Sequence, residues 1–492
     1  MLYEGHSLYD NLSNKYFVKD GHDAMKFRGR AKAALLRYLV AYGCCVAAFV
    51  GLLMVAYCIP SSAMSSQVKD SADLLVKEGN QPSIIASGQS TKIDNFTTAI
   101  MVSISAHDAA GGSVLAASMS DSYYANKGSQ DKVQALEDGY DLPSDWSYPR
   151  YWHGYLVVLK PLLVFLDVGQ IRLLFLAILA LLSVAVCCRL AARTRLSYAL
   201  AFAFSMTMVE AFIVAFSLSL AFSFFVALGG MLYVLNVSDT QTAFGAERRF
   251  GVVFFVIGAV TVFFDFLCTP IITLGLPLAA YLLVWRADLA RVPYKRIVPF
   301  LFCCALAWSV GYASIWFTKW VLATIILGRD VVGEGIANLA FRTGESGSAS
   351  VGNASQSDVA RWLGAAKNLK AMLPGWKWKP AACVAVLVGV AFARCRRKGM
   401  AHFAASALMV AMLPYAWYLM AANHSYVHFW FVYRAQVITV FSVLSVVIAS
   451  VDWKGVRAAA GKPFRFMRGD SNGSESDDAA SCIADKVTPR GR

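Results

Sequence analysis

Apolar runs of about 18 residues or more recur along this chain, and each can cross the roughly 30 Å hydrocarbon core of a bilayer as a helix. The first reads Leu35 to Ile59. Others centre near Leu173, Phe222, Val252, Leu276, Val298, Ala381, Ala404 and Val437. Inside lipid every backbone donor and acceptor must be satisfied within the segment, so such runs fold as helices. The expected fold class is therefore an all-α polytopic membrane protein. Only 15% of the residues are charged, against roughly 25% in an ordinary soluble domain. Ten spans are placed at about 35–59, 170–188, 196–212, 217–235, 250–266, 270–286, 297–318, 379–394, 401–421 and 432–451.

The net charge of +14 raises the question of nucleic acid, and its distribution answers it. With these spans, 28 of the 45 Lys and Arg fall on the side shared by both termini, with 13 of the 31 acids. The net charge is +15 on that side and −1 on the other. Cytoplasmic loops carry excess Lys and Arg, so both termini are expected in the cytoplasm of a multi-pass cell-membrane protein. The basic excess is then topology, and no nucleic-acid partner is expected. The 40-residue stretch from Leu196 to Leu235, whose only charge is Glu210, is read as two helices meeting there. One very long helix would reverse everything downstream.

Three regions follow. Residues 1–34 form a basic cytoplasmic N-terminus, 35–451 the transmembrane domain, and 452–492 a cytoplasmic tail, basic and then polar. The cysteines lie mostly inside spans and give neither a disulfide framework nor a metal-ligand spacing. Two long outer loops interrupt the domain, at about 60–168 and 328–378. The first contains a helix-like amphipathic stretch from Ile93 to Ala117, broken or kinked by Gly111-Gly112. It closes on Tyr148-Pro-Arg-Tyr-Trp-His-Gly-Tyr155 and an apolar segment interrupted by Lys160-Pro161, which is expected at the membrane interface. The second returns to the bilayer through the aromatic-cation anchor Trp376-Lys-Trp-Lys-Pro380.

The ionisable residues near the spans gather on the outer side: Asp94, Asp108, Asp145, Arg150, His153, Lys160, Glu210, Asp265, His424, His428 and Arg434. Each reads two ways. Asp94 can serve as a general base or as a helix N-cap. Trp152 and His153 can hold a sugar or pack at the interface. Arg150, Lys160 and Arg434 can bind phosphate or snorkel to headgroups. Asp265 and Glu210 are supporting groups; Asp265 can pair with Lys319 or Arg434, or cap the helix that follows. His424 and His428, four residues apart, can donate to a phosphate or sugar hydroxyl, bind a metal, or be satisfied structurally. No phosphate-binding glycine loop, Gly-x-Ser-x-Gly or His-Glu-x-x-His sequence occurs.

Four short motifs, Asp94-Asn-Phe-Thr97, Tyr151-Trp-His-Gly-Tyr155, Phe264-Asp-Phe-Leu267 and Asn423-His-Ser-Tyr-Val-His428, resemble those of bacterial membrane glycosyltransferases of the GT-C class. The layout is similar too: one span, a long outer loop with an acid in its first half, then many spans. The resemblance implies sugar transfer from a polyprenyl-phosphate carrier to a cell-envelope glycan or protein acceptor at the outer face. It implies that the first-loop acid activates the acceptor, which makes Asp94 the candidate base. The class often has a second acid close by; here Thr97-Thr98 stand there and Asp108 is the next acid available. Arg150, Lys160 or Arg434 would hold the lipid phosphate. No cofactor is fixed by the resemblance, and a divalent metal stays open. Two other classes fit the same layout: a transporter or flippase for a lipid-linked glycan, and a non-catalytic envelope-assembly protein.

Overall fold

The computed structural model describes residues 32–84, 91–108, 113–120, 122–123, 132–139, 146–237, 247–344, 360–373, 389, 399–453 and 455. Outside them lie the N-terminal segment, the Gly111-Gly112 break, the Trp376–Pro380 anchor, the expected span at 379–394 and most of the tail. Met1–Val451 cluster as one compact unit and Asp452–Arg492 as a second.

The chain is an all-α, multi-pass membrane protein. Six described helices are long and apolar enough to cross a bilayer: Lys32–Tyr57, Val168–Arg193, Leu218–Asn236, Tyr294–Leu327, Ala401–Met420 and Phe429–Ser450. Three further expected spans appear as shorter apolar helices, Leu196–Met208, Phe250–Phe264 and Ile272–Val284. The peripheral helices turn large apolar side chains outward, among them Val55, Leu181 and Ile325, each about 70% exposed. In water such a surface would drive association; against acyl chains it is the expected outer belt.

In chain order, α1 (Lys32–Tyr57) leads into the first loop. That loop folds as α2 (Ser65–Glu78), α3 (Asn95–Ala106), α4 (Val114–Ser120), a two-residue ribbon of β1 (Ser122–Tyr123) on β2 (Trp146–Ser147), α5 (Lys132–Gly139) and α6 (Leu156–Leu163). The expected amphipathic helix from Ile93 to Ala117 is thus two helices. Within α3 burial runs almost all round, from Asn95 and Thr98 to Ala106, so it is a core helix of the loop domain.

Next come α7 (Val168–Arg193), α8 (Leu196–Met208), α9 (Leu218–Asn236), α10 (Glu247–Phe264), α11 (Ile272–Val284), α12 (Arg286–Leu289) and α13 (Tyr294–Leu327). Asp167 starts α7 with a capping box to Gln170. Between α8 and α9 the helix breaks at Glu210, whose φ is 52°, and continues as a 3-10 turn at Ala211–Phe216. The helix therefore breaks at the single charge of that apolar stretch. The longest helix, α13, ends at Gly328 with φ 66°, a left-handed cap that glycine adopts without a Cβ penalty.

The rest is α14 (Val331–Thr343), α15 (Arg361–Met372), α16 (Ala401–Ala411), α17 (Leu413–Met420), α18 (Ala422–Val427), α19 (Phe429–Val432) and α20 (Val437–Ser450). Helices α10 and α13 cross most closely, through reciprocal glycines. A Cβ on Gly258 would strike the Trp308 carbonyl, and one on Gly311 would strike the Phe255 carbonyl. Membrane helices bring backbones together in this way where small residues face each other.

Candidate functional site

The loops at one end of the spans meet in a ring of polar groups. Asp94 caps α3: the Thr97 amide donates to its Oδ1 at 3.0 Å, and its own amide donates to Ser217 Oγ at 2.9 Å, at the start of α9. Its residue is 5% exposed. Burial pushes its carboxyl above the ordinary value, and the bond from Thr97 pulls the other way. Cap and base are therefore compatible readings of one carboxylate, because the cap uses one oxygen.

Asp94 is also held from behind. Arg172, in the first turn of α7, donates Nη1 to both Glu78 oxygens, at 3.0 and 2.9 Å, and Nη2 to Asn95 Oδ1 at 2.6 Å. Asn95 Nδ2 returns a bond to Glu78 Oε2 at 2.9 Å and another to the Gly79 carbonyl. This network pins the residue next to Asp94 to a membrane helix.

The turn after α10 forms the next part of the ring. Asp265 accepts from Ser223 Oγ (3.0 Å), the Leu267 and Cys268 amides (2.9 and 3.0 Å) and the Tyr312 hydroxyl (3.2 Å). Of the supporting roles expected for it, helping to shape the following turn is the one its bonds carry. Lys319 lies instead on the carbonyls of Ser118 and Met119. Burial, then the Asp265 and Asp94 carboxylates, raise the Cys268 thiol well above its ordinary value, so both acids act on one point of the ring.

Opposite lies the segment that follows α17. Tyr433 donates to Glu210 Oε2 at 2.8 Å and to the Val209 carbonyl at 3.1 Å, joining the last span to the α8–α9 break. Arg434 is fully buried, lies 5.0 Å from the Tyr433 ring centroid and donates to the Trp430 carbonyl.

Between these two halves stands Arg342, near the end of α14. Its Nη1 reaches Asn423 Oδ1 and His428 Nε2, both at the long distance of 3.4 Å. Its guanidinium and that of Arg150 both act on the buried Tyr151 phenol. Arg150 has Glu334 at 3.8 Å, an acid already bound to Arg329 at 2.6 Å. Burial and then Arg342 hold His428 down, to about 3, so its ring is neutral and Nε2 faces the guanidinium as an acceptor. His424, 4.8 Å away between ring centroids, is 4% exposed. Neither of its ring nitrogens makes a hydrogen bond, although the Leu267 backbone lies beside it. Arg342, with His424 and His428 beside it, offers donors of the kind that suit an anion with several acceptor oxygens.

Three non-glycine residues have left-handed backbones among those described, and all three belong to this ring: His153, Glu210 and Leu267. Each such residue costs of order 1 kcal/mol or more. Asp265 supports Leu267, Tyr433 supports Glu210, and His153 is held by Tyr155 and the Tyr148 carbonyl.

Several expected site residues are placed elsewhere or engaged differently. Lys160 is fully buried and donates to the Ser105 and His107 carbonyls at 2.8 and 3.4 Å, completing the C-terminus of α3; this position does not carry the phosphate role expected of it. Asp108 accepts from the Ser61 amide and hydroxyl, both at 2.7 Å, at the far end of α3 from Asp94, about 18 Å along the axis. It does not share the Asp94 constellation as the expected second acid. Trp152 is core: its Nε1 donates to the Ile315 carbonyl, and its ring packs on Phe49 and Phe263, so no face is open to a sugar. His153 is enclosed by aromatic rings, and burial, then Lys319, hold it well below its ordinary value. The sequence reading missed Arg342 altogether. Its one signal was an arginine in the last turn of a helix capped by Asp330, a placement that more often serves the helix dipole.

Among the described residues no three His, Cys, Asp or Glu side chains converge as metal ligands. His424 and His428 face a guanidinium, which disfavours a cation there. No protein-family model matches the chain, and no curated protein or solved structure matches it significantly.

Proposed function

We propose that this protein transfers a sugar from a polyprenyl-phosphate carrier to a cell-envelope acceptor, at the outer face of a membrane with both termini cytoplasmic. The observation that carries the reading is the ring itself: a buried, raised carboxylate at Asp94 and an anion niche at Arg342, Arg150, His424 and His428, at the ends of the same helices. A donor whose phosphate is confined to headgroup depth can reach such a site. Asp94 takes the proton of the acceptor hydroxyl as its oxygen bonds to the anomeric carbon. The carbon–oxygen bond to phosphate breaks, the electron pair leaves with the phosphate, and Arg342 and Arg150 stabilise the charge that develops there. Asp265 and the Arg172–Glu78–Asn95 network position the acid side.

The test is transfer from a panel of polyprenyl-phosphate sugars by the full chain in nanodiscs. Asn is as good an N-cap as Asp, so Asp94→Asn keeps α3 and removes the base. Transfer is expected to fall by about 100-fold or more at unchanged thermal stability. Undiminished transfer in this variant, or no transfer by wild type from any donor, ends the reading.

A further inference from the structure

Helix α15 lies across the ends of the last two spans. Arg361 Nη1 donates to the Leu419 carbonyl at 3.3 Å, at the end of the span Ala401–Met420. Lys367 Nζ donates to the Tyr426 carbonyl at 3.1 Å and sits over the rings of Tyr426 and Phe429. Asn368 is fixed from two sides. Its amide donates to the Ser425 carbonyl at 2.8 Å, and its carbonyl accepts from Gln436 Nε2 at 2.9 Å, within the span Phe429–Ser450. These contacts hold α15 at the depth where the spans end.

The opposite face of α15 is apolar and open. Trp362, Ala366 and Leu369 follow helical spacing and are exposed, Trp362 at 61% and Leu369 at 41%. Exposed Arg361 and Lys370 flank this stripe, and α15 contains no acid. A tryptophan-bearing apolar stripe with cationic edges, held at the end of spanning helices, fits the boundary between headgroups and acyl chains. Its charge complements anionic lipid phosphates.

We infer that α15 is a bilayer anchor. Trp362 and Leu369 rest among acyl chains of the adjoining leaflet, and Arg361 and Lys370 meet the phosphates of anionic lipids. The inference stands independently of sugar transfer. It also ties the site to the lipid around it, because α15 packs directly on α18, which carries His424.

The test uses the full chain in nanodiscs of neutral or anionic phospholipid brominated on the acyl chains. The difference in emission between wild type and Trp362→Phe isolates Trp362. Expected is strong quenching of that difference by brominated lipid, weak quenching by aqueous acrylamide, and greater lipid quenching in anionic than in neutral discs. Lys370→Gln should narrow the gap between the two lipids. Should Trp362→Phe fail to insert, a bimane label at Ala366→Cys in a chain whose eleven native cysteines are replaced by alanine gives the same readout. Acrylamide quenching without lipid quenching overturns the anchor, and so does protection of Trp362 that appears only when a second protein is bound. Equal quenching in neutral and anionic discs overturns the preference for anionic lipid.

Discussion

Lys160 and Arg342 are both cations near the ends of helices that lie between spans, and they live in opposite circumstances. Lys160 has no exposure, and its ammonium is occupied by two carbonyls of α3 and by the face of Tyr57. Arg342 is partly exposed, its bonds to Asn423 and His428 are both 3.4 Å long, and the imidazole beside it is unsatisfied. Burial of a charge is tolerated where hydrogen bonds complete it. A satisfied cation is therefore scaffold, while an under-satisfied one next to open acceptor capacity is where a ligand belongs. Charge alone, which is all a sequence displays, does not separate the two.

Substitutions can break or sharpen this contrast. The largest effect is expected at Arg342→Ala. Transfer by protein in nanodiscs should fall by roughly 30- to 100-fold, equivalent to about 2–3 kcal/mol of lost charge-assisted bonding. The melting temperature should hold. Lys160→Met should do the reverse, because it leaves buried carbonyls of α3 unmatched at a cost of about 1–3 kcal/mol. A lower melting temperature with little change in transfer per folded molecule is expected; the opposite pattern in this pair would dissolve the distinction.

A pH titration sharpens the comparison further. His428 has a folded value depressed to about 3, below its ordinary 6.5. Between those values the unfolded state binds the extra proton. The associated stability is thus present above about pH 6.5 and is lost as pH falls, by up to about 1 kcal/mol per unit. Thermal melts from neutral to mildly acidic pH should show this decline, and His428→Gln should flatten it. The smallest effect belongs to Arg150→Ala. Its pair with Glu334 is long and partly solvated, worth about 0–1 kcal/mol. Because Arg150 shares the developing phosphate charge with Arg342, its loss should lower the maximal transfer rate only a few-fold.

The amino-acid order carried the membrane class, most helix positions and the helix break at Glu210, because each follows from local apolarity or one misplaced charge. It also pointed to Asp94, Asp265 and the 423–434 segment as polar groups near the ends of spans. It did not reveal that Lys160 and Trp152 turn inward, since their partners, the carbonyls of His107 and Ile315, lie far along the chain. Nor did it reveal Leu267 in a left-handed backbone, a state leucine adopts only when neighbours such as Asp265 impose it.

The interlocked glycines of α10 and α13 set a limit on how this protein can accommodate cargo. With backbone resting against backbone at Gly258 and Gly311, that pair has almost no freedom to slide. Asp265 follows directly on the end of one helix, and the other carries the indoles of Trp316 and Trp320, which grip the Arg150 carbonyl. On the proposed function, a bulky lipid-linked group has to be accommodated on other sides of this pair, and α14 is itself close-packed there, with Gly335 against the Trp320 indole.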